Sequence, residues 1–242
     1  MSPVRLVLRE TAEETLQACA EAVAAGLRAA SAPHFVLAGG QTPRGVYTRL
    51  AAAAKDADAP AWHDVEFWFG DERCVGLDHP KSNFHLAQET LLRPLRIPGG
   101  HIHRMLGELG AEEGARRYAA RIRARLGSQP QFTVVLIGLG PEGHTLSLFP
   151  ESEGLLADDL AVAALVPTPP RERISLTPTA LGAAERIFLL ATGPEKRQAL
   201  RAALGATRPD PGIPTSFLRG RIETVVFCDR GALPEPPTEV AP

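Results

Sequence analysis

Cysteine is scarce in this chain: Cys19, Cys74 and Cys228 are the only three in 242 residues. An odd number without CxxC spacing argues against a disulfide framework or a zinc site and fits a reducing compartment. Long apolar runs are missing too. No window approaches the roughly 20 apolar residues of a membrane span. The opening Met1-Ser-Pro-Val-Arg-Leu-Val-Leu-Arg9 holds no apolar stretch of signal-peptide length. The expected setting is cytoplasmic, with no membrane partner. An excess of one charge is also lacking. A net charge of −2 leaves no clustered Lys/Arg footprint, so nucleic acid is not an expected partner. Lysine itself is nearly absent, with only Lys55, Lys81 and Lys196 among 26 cationic side chains. Codon bias or a warm habitat explains the shortage, yet a lysine kept in a sensitive position stands out.

What remains is an ordinary globular composition, 44% hydrophobic and 22% charged. Short apolar runs at 4–8, 35–38, 65–69, 132–137, 160–166, 187–191 and 225–228 read as strands, the last closing the sheet. Helical spacing separates them. Thr11-Ala-Glu-Glu14 matches a capping box ahead of Leu16, Ala20, Val23 and Leu27. Thr42-Pro43 reads as the N-cap and first residue of a second helix. Further helices are expected from Ser82 or Asn83 through Leu92, over 112–126 with Gly127 as its stop, and from 195 to 204. No repeat or long linker divides the chain. The alternation predicts an α/β fold: a single domain over 1–232 with a mostly parallel sheet flanked by helices on both faces. Residues 233–242 are proline-rich and read as a disordered tail.

Ligands in such sheets bind outside the carboxyl ends of the strands. Four ends carry glycines or charges, after Ala38, Phe69, Ile137 and Ala191, and are expected to converge. Gly39-Gly-Gln-Thr-Pro43 offers close backbone approach and a helix N-terminus, suited to a phosphate or carboxylate; an ordinary strand-to-helix turn has the same sequence. In Gly70-Asp-Glu-Arg73, Asp71 can orient a base or a nucleophile and Arg73 can face a developing oxyanion. A surface turn with a local ion pair reads identically. Arg173 and Lys196 can clamp an anion, one as a fork and one as a point charge, or can be solvated.

The segment Gly138-Leu-Gly-Pro-Glu-Gly-His-Thr-Leu-Ser-Leu-Phe-Pro150 satisfies two nucleotide patterns and fails both on context. Gly138-x-Gly140-x-x-Gly143 matches a dinucleotide fingerprint, but Pro150 cuts short the helix that should follow. The same glycines fit a P-loop, but His144 stands where lysine belongs. A histidine at the sheet rim remains, as general base or as a loop hydrogen-bonder.

Read together, Leu37-Ala-Gly-Gly-Gln-Thr-Pro43, Phe69-Gly-Asp-Glu-Arg73, His79-Pro-Lys-Ser-Asn83, residues 138–150, Arg173-Ile-Ser-Leu-Thr177 and Thr192-Gly-Pro-Glu-Lys196 resemble one family. It is the glucosamine-6-phosphate isomerase/6-phosphogluconolactonase family, and the motifs fall in its order along nearly the whole chain. The lactonase branch is the better match. Arg73 stands where deaminases carry Tyr, and residues 146–150 lack the acid that deaminases keep beside their histidine. Two departures are Glu142, where the family usually has Asp, and Gly182, where it often has Asn.

The resemblance implies a Rossmann-like fold and hydrolysis of 6-phospho-D-glucono-1,5-lactone in the oxidative pentose phosphate pathway. It implies His144 as general base and Arg73 as oxyanion partner, with Asp71 holding His144 or the sugar hydroxyls. The phosphate is expected on Gly39, Gly40 and Thr42 with Arg173 and Lys196. Asn83 is expected to touch the sugar or support the loop. No metal or redox cofactor is expected, because a lactone is already an activated ester. The expected partner is the small phosphorylated lactone, and the expected state a monomer or small homo-oligomer. A deaminase-like enzyme and a non-catalytic sugar-phosphate binder are the alternatives.

Overall fold

The structure is a computed structural model and describes residues 4–233. The proline-rich stretch 234–242, which carries the expected tail, lies outside them. The strands are β1 Val4–Arg9, β2 His34–Leu37, β3 Glu66–Phe69, β4 Asp71–Arg73, β5 Ile102–His103, β6 Val134–Gly138, β7 Ala161–Leu165, β8 Glu172–Leu176, β9 Arg186–Ala191 and β10 Glu223–Asp229. The helices are α1 Ala12–Arg28, α2 Gln41–Ala52, α3 Asn83–Ala87, α4 Ala111–Leu126, α5 Pro178–Leu181 and α6 Arg197–Gly205. Seven strands form one parallel sheet in the order β1-β10-β9-β6-β2-β3-β5, flanked by helices. This is the α/β architecture that the alternation predicts.

The pattern of burial explains the sheet. In β6, residues Val134, Val135, Leu136 and Ile137 are all essentially inaccessible. A strand covered on both faces needs such an unbroken β-branched and apolar run. Against the sheet, α1 buries Leu16, Cys19, Ala20, Val23 and Leu27, a single helical stripe. Its capping box is formed: Thr11 Oγ1 accepts from the Glu14 N–H, and Glu14 returns a bond to the Thr11 N–H. The last turn of α4 ends at Gly127, whose φ of 79° suits glycine.

Three expectations change. The strand read at 160–166 exists as β7 but belongs to a separate three-stranded antiparallel sheet, β4-β8-β7. Its alanine-rich run is too exposed for a sheet interior; Leu165 is 72% accessible at its end. The strand read at 225–228 does not close the main sheet but lies between β1 and β9. Its residues Val225, Val226 and Phe227 are buried, whereas β1 exposes Val4 and Leu6 as an edge strand does. Finally, α2 starts two residues early. Gly40, with φ 102°, is its N-cap, and Thr42 and Pro43 sit inside the first turn.

The chain has only two tyrosines, and both fasten strand ends at the same rim. The Tyr47 hydroxyl donates to the Ala38 carbonyl at 2.6 Å, just past β2. The Tyr118 hydroxyl accepts from the Phe69 N–H at 2.8 Å and lies 3.0 Å from its carbonyl, at the end of β3. These phenols satisfy buried backbone groups where ladder pairing stops. They hold the carboxyl ends of two strands in place.

Candidate active site

The four strand ends do converge. A cavity of about 230 Å³ lies at the rim, lined among others by Gly39, Gly40, Thr42, Asp71, Arg73, Gly140, His144 and Lys196. Seven of the nine residues read as site residues are thus brought together. Asn83 and Arg173 are not on its wall; both are buried behind it.

His144 is delivered by a chain of tight turns after β6. The Gly140 N–H donates to the His144 carbonyl at 2.7 Å, and the Gly143 N–H to the Gly140 carbonyl at 3.0 Å. Gly143 has φ 89°, a conformation open to glycine at no steric cost. Gly140 is required for another reason: a Cβ there would fall 2.0 Å from His144 Nδ1. Thr145 Oγ1 donates to the Gly138 carbonyl at 2.8 Å and ties the loop back to the strand.

The imidazole stacks on Phe149 at 4.3 Å between centroids. Its Nδ1 meets Glu142 Oε2 at 3.0 Å. A carboxylate there keeps the proton on Nδ1 and leaves Nε2 as the free basic nitrogen. Burial holds the His144 pKa below the ordinary imidazole value. Glu142 and Asp71 oppose that shift, and Lys196 reinforces it. The imidazole is therefore unprotonated near neutral pH, as a general base must be.

Of the two roles read for Asp71, orienting His144 falls to Glu142. The Asp71 carboxylate is held by neutral donors. Asn83 Nδ2 donates to Oδ1 at 2.9 Å, and Ser147 Oγ to Oδ2 at 2.6 Å. Asn83 is therefore a support, pinned against Gly39 so closely that a Cβ on that glycine would lie 2.0 Å from its Oδ1. Ser147 carried no role in the sequence reading; the signal was its place three residues after His144 in the 138–150 motif.

Glu72 also has a structural task. Its buried carboxylate accepts from the N–H groups of Asn83 and Phe84, each at 2.7 Å, and from Ser82 Oγ at 3.0 Å. It caps α3 from a distance and fixes Asn83 behind Asp71. Burial pushes its pKa up, while these backbone hydrogen bonds pull against that rise.

Arg73 Nη1 donates to the Lys81 carbonyl at 2.6 Å. Across the antiparallel pair, Arg73 stands opposite Arg173. The Nε atoms of both are buried without a hydrogen-bond partner among the described residues. Burial, and then the nearness of Arg73, lowers the Arg173 pKa. Asp71 and Glu72, the neighbours of Arg73 on β4, oppose that shift. The first turn of α2 adds to this positive rim: its N-cap makes no side-chain hydrogen bond and its first turn has no acid. Lys196, half-buried, completes the wall after the turn that follows β9. That turn is anchored by the Gly193 N–H on Asp229, at 3.1 Å from Oδ1. Gly182, the second family departure, ends α5 and does not line the cavity.

The chain is also similar to known proteins. The model of the "Glucosamine-6-phosphate isomerases/6-phosphogluconolactonase" family matches residues 8–227. The 6-phosphogluconolactonase of Mycobacterium tuberculosis is 34% identical over 227 residues, covering 90% of each chain. The crystal structure of 6-phosphogluconolactonase from Thermotoga maritima superposes with a TM-score of 0.83 at 29% identity, over 94% of this chain and all of that one. A monomeric glucosamine-6-phosphate deaminase superposes with a TM-score of 0.81 at 20% identity, over 94% of this chain and 98% of that one, a likeness of fold alone.

Proposed function

The chain belongs to the glucosamine-6-phosphate isomerase/6-phosphogluconolactonase family, and from that membership we propose that its cavity hydrolyses 6-phospho-D-glucono-1,5-lactone to 6-phosphogluconate, a step of the oxidative pentose phosphate pathway. One observation supports the assignment to this site: His144, anchored through Nδ1 on a carboxylate, shares the cavity wall with Arg73, Lys196 and the first turn of α2.

The proposed roles fit the arrangement. The phosphate rests on the first turn of α2, at Gly39, Gly40 and Thr42, with Lys196 beside it and Arg173 behind. Fixing that distal group places the lactone carbonyl before His144 and lowers the entropic part of the barrier. His144 Nε2 takes a proton from water as the water oxygen bonds to the carbonyl carbon. Negative charge gathers on the carbonyl oxygen, where Arg73 offsets it. The tetrahedral intermediate then breaks its bond to the ring oxygen, and the imidazolium returns its proton to that oxygen. Glu142 stabilises the imidazolium in between. Asp71, held rigid by Asn83 and Ser147, orients sugar hydroxyls.

A coupled assay that generates the lactone enzymatically tests the reading, with spontaneous hydrolysis subtracted. Turnover by wild type and its loss in His144→Ala is expected; near wild-type rates in the variant would remove His144 as the base. The fold likeness to a deaminase keeps glucosamine 6-phosphate as the second substrate to try. Arg73 and the absence of an acid between residues 146 and 150 weigh against it, and no ammonia release is expected. No helix among the described residues is long and apolar enough to cross a membrane. A cytoplasmic enzyme, monomeric or a small homo-oligomer and without nucleic-acid partners, completes the proposal.

A further inference from the structure

Four charged groups surround His144, three of them on the cavity wall. Glu142 belongs to its own turn, Asp71 and Arg73 come from β4, and Lys196 follows β9. Three of them are already engaged. Glu142 meets the imidazole, Asp71 accepts from Asn83 and Ser147, and Arg73 donates to the Lys81 carbonyl. The Lys196 ammonium has neither a hydrogen bond nor an ion pair among the described residues. The cavity volume equals that of a sphere roughly 8 Å across, about one Debye length at physiological salt. Charges on its walls therefore lie within about one Debye length of each other, and partly buried ones such as Lys196 and His144 are screened less than exposed charges.

We infer that the substrate's phosphate, by neutralising Lys196, turns His144 into a stronger base, so that this lysine selects phosphorylated lactones through kcat as well as through binding. The inference rests on the reading above that Lys196 meets the phosphate. Without ligand, burial and the Lys196 charge both favour neutral imidazole, against Glu142 and Asp71. The empty site thus keeps its base unprotonated and ready, though weak. A phosphate dianion beside the ammonium cancels its field at Nε2. Proton transfer from water then gains driving force, and the imidazolium no longer forms beside an uncompensated cation. An unphosphorylated lactone lacks that anchor and also leaves Lys196 charged, so its chemical step stays slow.

The test is a proton-NMR titration of the His144 ring, its signal assigned by its disappearance in His144→Gln. The probe is glucitol 6-phosphate, which carries charge only at its phosphate; glucitol is the control. In wild type the His144 midpoint is expected to move upward with saturating probe and to stay fixed with glucitol. In Lys196→Met the midpoint of the free protein is expected to lie above that of free wild type. The inference is overturned if the probe perturbs the Gly39 and Gly40 amides while the midpoint stays fixed. An unshifted midpoint in free Lys196→Met overturns it too. If the probe leaves those amides unperturbed, the phosphate reading itself falls and takes the inference with it.

Discussion

Two histidine–glutamate pairs occupy opposite parts of this molecule, and only one is suited to catalysis. His144 and Glu142 sit at the cavity rim, with side chains 29% and 55% accessible. His103 and Glu66 are packed beside β3, with side chains 1% and 9% accessible. Each imidazole stacks on an aromatic ring, Phe149 in one case and Trp68 in the other. The difference is the second ring nitrogen. His103 uses both: Nε2 meets Glu66, and Nδ1 accepts from Arg121 Nε at 3.1 Å. Glu66 is also held by Arg125. His144 uses one, and its Nε2 has no hydrogen-bond partner among the described residues. A carboxylate–histidine pair is thus no mark of an active site; a spare nitrogen facing a cavity is.

Exchanging the roles by mutation is the strongest way to break that contrast. His144→Ala should lower kcat by about a hundred- to ten-thousand-fold, the usual contribution of a positioned acid–base group, and leave the melting temperature nearly unchanged. His103→Ala should do the reverse. It removes one of the two partners of the buried Glu66 carboxylate and the ring stacked on Trp68, a loss of about 1–3 kcal/mol, while kcat of the folded protein stays near wild type. The lactone assay and thermal unfolding, run on both variants, read the two outcomes. A His103→Ala protein that kept its stability but lost turnover would end the distinction.

A second variant probes the rim without touching the histidine. Gly140→Ala places a Cβ where His144 Nδ1 now lies, so the ring must move. A displacement near 1 Å at a reacting group costs about a hundredfold in rate. Loss of kcat with KM largely retained is expected, since Gly140 is far less involved in the phosphate wall. An unchanged kcat would mean the ring position is not critical.

How much of this was legible in the residues varies with the range of the interaction. The convergence of four strand ends could be read because each is marked locally, by an apolar run that stops at glycine or charge. The β4-β8 pairing could not. Asp71-Glu72-Arg73 has the composition of a turn, and its extended form is imposed by β8, about a hundred residues away. Glu72 gave no hint of capping α3, because its partners are backbone N–H groups. Glu142 stood out as a departure, yet its bond to His144 depends on the turn made by Gly143. Residues two apart do not ordinarily face each other.

That bond supplies a smaller test. Glu142→Gln should lower kcat by about tenfold, the low end for a hydrogen bond to a charged group on a half-exposed pair. Glu142 holds the His144 pKa up against burial, so the acid limb of kcat/KM should move to lower pH in the variant. Glu142→Asp, with a shorter reach, should recover part of kcat. A limb that stayed in place would mean the carboxylate has no electrical hold on the ring.

The smallest expected effect belongs to the buried pair, and it concerns stability rather than rate. Burial first, and then Arg121 and Arg125, hold the His103 pKa below the ordinary imidazole value, against Glu66. As pH falls through about 6.5, the unfolded chain takes up this proton while the folded protein does not, so acidification in that window favours unfolding. For Glu66, burial pushes the carboxyl up, but hydrogen bonds from Arg125 and His103 outweigh it and leave the pKa below the ordinary carboxylate value. Its contribution is present above the unfolded carboxylate range and is lost as pH falls through the lower folded value. Both signs agree. Wild type should lose a few degrees of melting temperature between pH 7 and 5.5, then more below about pH 4. In His103→Gln the first step should shrink without vanishing, because burial also holds His34 and His144 low. A first step of undiminished size in that variant would locate the proton-linked stability at His34 and His144 instead.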